Sequence, residues 1–191
     1  MRPPPALQLV WPSLEHVPSY VDALKRGWSP ESERGAEAVE ETLAAVERDA
    51  AAHVSSLVDR DATGADIPLP DGTSVRRLPG YVRWLWDGEF CGLIGFRWQR
   101  GTEALPAYCL GHIGYTVVPW KQRRGYATEA LRLLLPDAKA EGLRYVEITT
   151  DVGNAASQRV IEANGGVLVA RFTKPPSHGG DEALRFRIPL G

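Results

Sequence analysis

Between residues 111 and 166 the chain runs strand, glycine-containing basic loop, helix, strand, helix, and this order constrains the fold more than any other feature. His112-Ile113-Gly114-Tyr115-Thr116-Val117-Val118 is an apolar alternating run, closed by Pro119, which cannot donate to a sheet ladder. Gln122-Arg123-Arg124-Gly125-Tyr126-Ala127-Thr128 follows, and a stripe of Ala127, Ala130, Leu131, Leu134, Leu135 and Ala138 predicts a helix ending at Gly142. A strand that turns through such a loop into a helix gathers unpaired N–H groups and the positive end of the helix dipole at one point, which is an anion site. Gly125 lets the backbone approach a ligand where a Cβ would collide, Ala127 keeps the next contact small, and Arg123 and Arg124 supply cations. The guest these residues predict is a pyrophosphate. Pro136 predicts a kink or restart of the helix, since an internal proline removes a hydrogen bond and clashes with the preceding turn, at about 3 kcal/mol.

A second apolar run, Tyr145-Val146-Glu147-Ile148-Thr149-Thr150, comes after the helix. Residues 154–166 then read as a helix capped by Asn154 and stopped by Gly165-Gly166. The two apolar runs flank one crossover helix and are expected to be neighbours.

The loop Gln122-x-x-Gly125-x-Ala127, the strand with Pro119 before it, and the pair Asn154-x-x-Ser157 opening the next helix resemble the core of the GNAT superfamily, the acyl-CoA N-acyltransferases. More narrowly, Gly111-His112-Ile113-Gly114-Tyr115, Arg124-Gly125-Tyr126-Ala127-Thr128-Glu129 and Asn164-Gly165-Gly166 resemble a group of predicted acetyltransferases. The resemblance implies an α/β (α+β) fold, a mixed, mostly antiparallel twisted sheet of about seven strands flanked by about four helices. It implies two central strands that splay apart, so that the pantetheine arm of acetyl-CoA adds to the open edge. Backbone groups of Val117 and Val118 would then hold the pantetheine amides. Gln122, Arg123, Arg124, Gly125, Tyr126, Ala127 and Thr128 would hold the pyrophosphate, and Asn154 and Ser157 the pantetheine arm or a water. The implied reaction is transfer of an acetyl group to a primary amine of a small molecule or peptide, with no metal; a CoA-binding sensor without turnover is the alternative.

Catalytic groups are less evident. Many members of the superfamily carry a tyrosine acid at the position that is Ile161 here, so the usual acid is absent. Tyr115 is a candidate substitute, or a core residue. His112 is the candidate base: it shares a strand face with the small residues Gly114 and Thr116, and an imidazole titrates near neutral pH. Glu89 and Glu103 are reserves.

The rest of the chain sets bounds. Its 191 residues, 43% hydrophobic, are expected to form one domain, 1–191, as a monomer or homodimer. A net charge of −2 without clustered cations argues against nucleic acid, and no long apolar run or signal pattern argues for a membrane, so a cytoplasmic protein is expected. Cys91 and Cys109 lack metal-ligand spacing and read as small buried hydrophobes. Residues 6–10 predict an edge strand. Ser13 is read as the cap of a first helix stopped by Gly27, with a start delayed to Pro18 as the alternative, and Ser29-Pro30 as the start of a second. That second helix carries the stripe Val39, Leu43, Val46, Ala50, Val54 and Leu57. Residues 59–80 lack periodicity and read as a substrate lid or a surface excursion. Two apolar runs around Asp87-Gly88 predict a hairpin, with Trp84, Trp86 and Trp98 in the core or along a ligand wall. Strands are expected over residues 108–118, 167–172 and 183–188.

Overall fold

The computed structural model describes residues 6–31, 34–68 and 72–191. The chain begins with β1 (Gln8–Val10), an edge strand, and α1 (Val17–Lys25). Ser13 does not cap α1: Pro18 is confined to the first turn, so the helix starts later and Ser13 Oγ bonds His16 Nδ1 at 2.7 Å. Ser29-Pro30 opens no helix either, because Ser29 Oγ is engaged with the backbone of Glu31 in a turn. The single helix expected across the Val39 to Leu57 stripe is two, α2 (Gly35–Arg48) and α3 (Ala50–Ser56). Asp49 divides them: its backbone is extended, with φ −161° and ψ 94°, and its carboxylate accepts the Ala52 N–H to cap α3.

The aperiodic stretch contains β2 (Val58–Asp59) and a small hairpin, β3 (Ile67–Pro68) with β4 (Ser74–Val75). The expected long hairpin follows as β5 (Gly80–Trp86) and β6 (Phe90–Arg97), turned at Gly88 with φ 107°. β7 (Ile113–Val117) pairs antiparallel with β6 and is shorter than the expected run from Tyr108, whose first residues turn instead of extending. Then come α4 (Tyr126–Ala140), β8 (Tyr145–Asp151), α5 (Ala155–Glu162), β9 (Val167–Thr173) and β10 (Glu182–Pro189). Pro136 does not make α4 restart; it lies inside one helix. Leu131 and Leu134 on its inner face are fully buried, at roughly 1.5–3 kcal/mol each, which offsets the proline's cost.

Among the described residues ten strands and five α-helices stand where about seven and four were expected. The expected single sheet is divided. One sheet has the order β1-β5-β6-β7, with β2 also on β5; the other is β8-β10-β9. The registered pairs in both are antiparallel. α4 packs between the sheets on a core that includes Ile94, Phe96, Ile113, Ile148 and Phe186. The other face of the first sheet is covered by α1 and α2 around Tyr20, Trp28, Trp84 and Phe90, with Tyr20 stacked on Trp84 at 4.7 Å. Trp84 and Trp98 are buried and Trp86 half-buried, the core role. Cys91 and Cys109 are buried thiols. Among the described residues no helix is long and apolar enough to cross a membrane.

Candidate active site

The division between the sheets falls between β7 and β8, the strands flanking α4. At the start of β7 they are stitched: His112 N–H donates to Glu147 O at 2.8 Å, the Glu147 N–H donates to His112 Nδ1 at 2.9 Å, and Thr149 Oγ1 donates to Leu110 O at 2.6 Å. Beyond His112 no ladder joins the two strands. Val118 N–H donates to Cys91 O on β6 at 2.9 Å and Arg97 N–H to His112 O on the same side. Backbone groups alternate sides along a strand, so the N–H groups of Tyr115 and Val117 point away from β6, into the gap. The backbone groups of Val118, expected to hold pantetheine with those of Val117, are both engaged, the N–H with β6 and the carbonyl with the Lys121 N–H at 2.9 Å, and its side chain is fully buried.

At the far end of β7 a short 3₁₀ turn, Pro119–Lys121, delivers the basic loop. Arg123 at φ 61° and Gly125 at φ 79° both adopt the left-handed conformation, which reverses the chain and aims it into α4. α4 starts at Tyr126 with no side-chain cap, and its first paired amide after the loop is Glu129 N–H to Gly125 O at 3.0 Å. The N–H groups of Tyr126, Ala127 and Thr128 belong to the uncapped first turn, where a helix concentrates its positive potential. They edge a cleft of about 690 Å³ that also takes in Val117, Gln122, Gly125, Asn154 and Ser157. Arg123 lines this cleft, whereas Arg124 points back to Trp120 O at 3.4 Å. Gln122 Nε2 donates to Val117 O at 3.2 Å, tying the loop to the strand end. Asn154 caps α5 by accepting the Ser157 N–H at 3.0 Å.

Tyr115 reaches across the gap: its hydroxyl lies 2.9 Å from Ser157 Oγ on α5. Burial pushes this phenol up to about 12. Ile161, at the superfamily's tyrosine position, is fully buried in the core. His112 is placed differently from the expectation. It has no solvent exposure, so the room foreseen beside its ring is absent, and Nε2 is buried, near the Glu103 backbone but without a close hydrogen bond. Burial lowers its pKa, and because Nδ1 accepts from Glu147, the neutral ring carries its proton on Nε2. The reserve carboxylates are engaged elsewhere. Hydrogen bonds from Arg144 pull Glu103 down to about 2, and Glu89 pairs with Lys121 at 2.8 Å.

One cluster went unread in the sequence. Lys121 is almost fully buried and bonds Asp87 at 2.6 Å, and Tyr126 OH donates to the other Asp87 oxygen at 2.6 Å. The turn of the β5–β6 hairpin is thereby clamped to both ends of the basic loop. Burial acts to raise the Asp87 carboxyl, but hydrogen bonds from Lys121 and Tyr126 outweigh it and hold the group below its ordinary value. Asp87-Gly88 reads as turn chemistry alone, and nothing in the spacing from Asp87 to Lys121 signals the contact.

An uncapped helix N-terminus beside a split sheet is the architecture of an acyl-CoA-dependent acetyltransferase, and comparison with known proteins agrees. The sequence profile described as Acetyltransferase (GNAT) domain matches residues 72–167, about half the chain, and the protein belongs to this family. Among solved structures, the Microcin C7 self-immunity acetyltransferase MccE, in complex with acetyl-CoA and AMP, superposes with a TM-score of 0.62 at 11% identity, over 98% of this chain and 97% of that one. RimL, the ribosomal L7/L12 alpha-N-protein acetyltransferase in complex with coenzyme A, gives 0.61 at 18% identity, over 96% and 93%. An acetyltransferase of Salmonella typhimurium that modifies the N-terminal serine of ribosomal protein L7/L12 gives 0.59 at 18%, over 97% and 95%. Identities this low speak to a common fold. No curated protein sequence matches the chain significantly.

Proposed function

We propose that this chain is a single acetyltransferase unit that moves the acetyl group of acetyl-CoA to a primary amine of a small molecule or peptide by direct attack. The observation that carries the reading is the uncapped start of α4, with left-handed Gly125, at the mouth of the gap between β7 and β8. Gln122, Arg123, Gly125, Tyr126, Ala127 and Thr128 take the pyrophosphate, with Arg124 as an outer cation. The inward N–H groups of Tyr115 and Val117 take the pantetheine amides, in place of Val118, and Asn154 and Ser157 form the far wall.

In the reaction a C–N bond forms at the acetyl carbon, the C–S bond breaks, and the proton lost by the amine balances the one gained by the thiol. A backbone N–H on β7 can stabilise the oxyanion without a side chain. We assign the proton for the departing sulfur to Tyr115, whose raised pKa keeps the phenol protonated and whose position at Ser157 lies in the gap. His112 is assigned to holding β7 on β8, since a fully buried ring cannot touch an amine. The test is release of free thiol from acetyl-CoA with a panel of primary amines, together with calorimetry of acetyl-CoA. Binding and turnover are expected; binding without turnover on any amine would leave a CoA-binding module, and no binding would overturn the reading.

A further inference from the structure

A second cavity, of about 660 Å³, lies beside the first sheet. Gly95 of β6 lines it and is directly paired with Gly114 of β7, so two adjacent strands lack a side chain at the same place. Side chains alternate faces, so Gly114 shares its face with Thr116, opposite to Tyr115 and Val117. Thr116 also lines the first cleft, two residues along β7, so the bare floor lies about 7 Å from the gap. A Cβ on Gly95 would reach no more than ordinary van der Waals contact, 3.8 Å from Val82 Cγ2, so the place is uncrowded.

The ionic groups around this cavity are matched, with one exception. Glu31 pairs with Arg34 at 3.7 Å, and Asp59 accepts the Thr63 and Gly64 N–H groups at 2.9 Å. Arg77 lies beside Asp59 and donates to Ala65 O at 3.2 Å. His178 Nε2 is 3.0 Å from Tyr108 O. Arg97 has no side-chain hydrogen bond or ion pair among the described residues. The side chain is exposed and lies over the paired glycines, with Nη2 3.4 Å from where a Gly114 Cβ would stand. An exposed guanidinium with no protein partner among the described residues, over paired glycines and within a small molecule's length of the reacting gap, can take an oxyanion.

We propose that this cavity receives the acceptor and that Arg97 binds a carboxylate or phosphate carried by it, making the substrate a small anionic primary amine. The proposal rests on the acetyltransferase reading and narrows its acceptor. The test compares kcat/KM for matched pairs, β-alanine against propylamine and O-phosphoethanolamine against ethanolamine, in the parent, Arg97→Gln and Arg97→Lys. The parent is expected to favour the anionic member of at least one pair by about tenfold or more, as for a hydrogen bond to a charged group. Which pair responds separates carboxylate from phosphate. Arg97→Gln should bring that ratio close to one and Arg97→Lys should restore part of it. A parent without preference, or a preference kept in Arg97→Gln, overturns the proposal.

A measurement independent of turnover keeps the two claims apart. Propionate and inorganic phosphate are titrated into the protein saturated with CoA and, separately, without it, while amide chemical shifts are followed. Shifts at Gly95 and Gly114 that vanish in Arg97→Gln are expected, whereas shifts absent from this floor overturn the anion site even if acetyl-CoA binds and is turned over. Failure of the acetyltransferase reading shows instead as no acetyl-CoA binding, with the anion titration still reporting on Arg97.

Discussion

His112 meets Glu147 twice: its N–H donates to the Glu147 carbonyl at 2.8 Å and its Nδ1 accepts the Glu147 N–H at 2.9 Å. A side chain thus completes the backbone pairing between β7 and β8 at the last point before they part. With the Thr149 hydroxyl on the Leu110 carbonyl beside it, this residue anchors the opening of the gap. His112→Ala leaves a buried N–H on Glu147 unsatisfied and a cavity beside it, and is expected to cost about 2–4 kcal/mol. His112→Gln, which offers an acceptor oxygen, should recover part of that. Denaturant midpoints with unchanged slopes provide the measurement; an Ala variant as stable as the parent would remove the stitch from the account.

Stability should also fall on acidification through this residue. Burial lowers the pKa of His112, and of His53 likewise, so the unfolded chain binds these protons more readily than the folded one. Their contribution is fully present above the unfolded value of about 6.5 and is lost as pH drops below it toward the folded values. Unfolding free energies between pH 7.5 and 5 are expected to decline, and to decline less steeply in His112→Gln. An identical slope in the two proteins would exclude His112 as a source.

Gly125→Val should abolish acetyl-CoA binding in a folded protein. Gly125 is at φ 79° with nothing within 4 Å of an added Cβ, so the harm comes from the backbone and not from crowding. A β-branched residue resists the left-handed conformation, and the loop would move the N–H groups of Tyr126 to Thr128 out of line. Calorimetry on a variant with unaltered circular dichroism checks this, and unchanged affinity would contradict it.

Tyr115→Phe removes only the hydroxyl 2.9 Å from Ser157 Oγ. As loss of a general acid, it is expected to lower kcat on the order of a hundredfold with little change in acetyl-CoA affinity. Because burial holds the phenol at about 12, the parent should show no basic limb from this group below pH 10 or so. A Phe variant with turnover within about threefold of the parent would take the proton role off Tyr115.

Asp87→Ala strands Lys121, whose side chain is 5% exposed, without its closest anion. Removing the sole partner of a buried charge costs about 3–5 kcal/mol, and a smaller loss is expected here because Glu89 stays 2.8 Å from Lys121. Here it also unclamps the basic loop at Lys121 and Tyr126, so weaker acetyl-CoA binding should accompany the drop in melting temperature. Full affinity in the variant would show that the loop holds its shape unaided.

The part of this protein written locally was legible in its sequence. Gly165 marks the stop of α5, Asn154 is a cap, and Asp87-Gly88 a hairpin turn; each is decided by one residue's own backbone preferences and its near neighbours, whereas the left-handed turn at Gly125 was seen only in the structure. The turn from β7 through the basic loop into α4 followed from the same local chemistry. Asp49 shows the limit even here, since its capping of α3 overrode an unbroken apolar stripe.

What only the tertiary structure decided are the relations between residues far apart in the chain. Strand alternation placed His112 on a face, yet its burial depends on Glu147 arriving beside it, 35 residues on. The availability of Val117 and not Val118 depends on which side β6 pairs, the clamp from Asp87 to Lys121 on two turns meeting, and the bare floor under Arg97 on the register that sets Gly95 against Gly114. Periodicity says which way a side chain points; long-range packing and register say what it finds there.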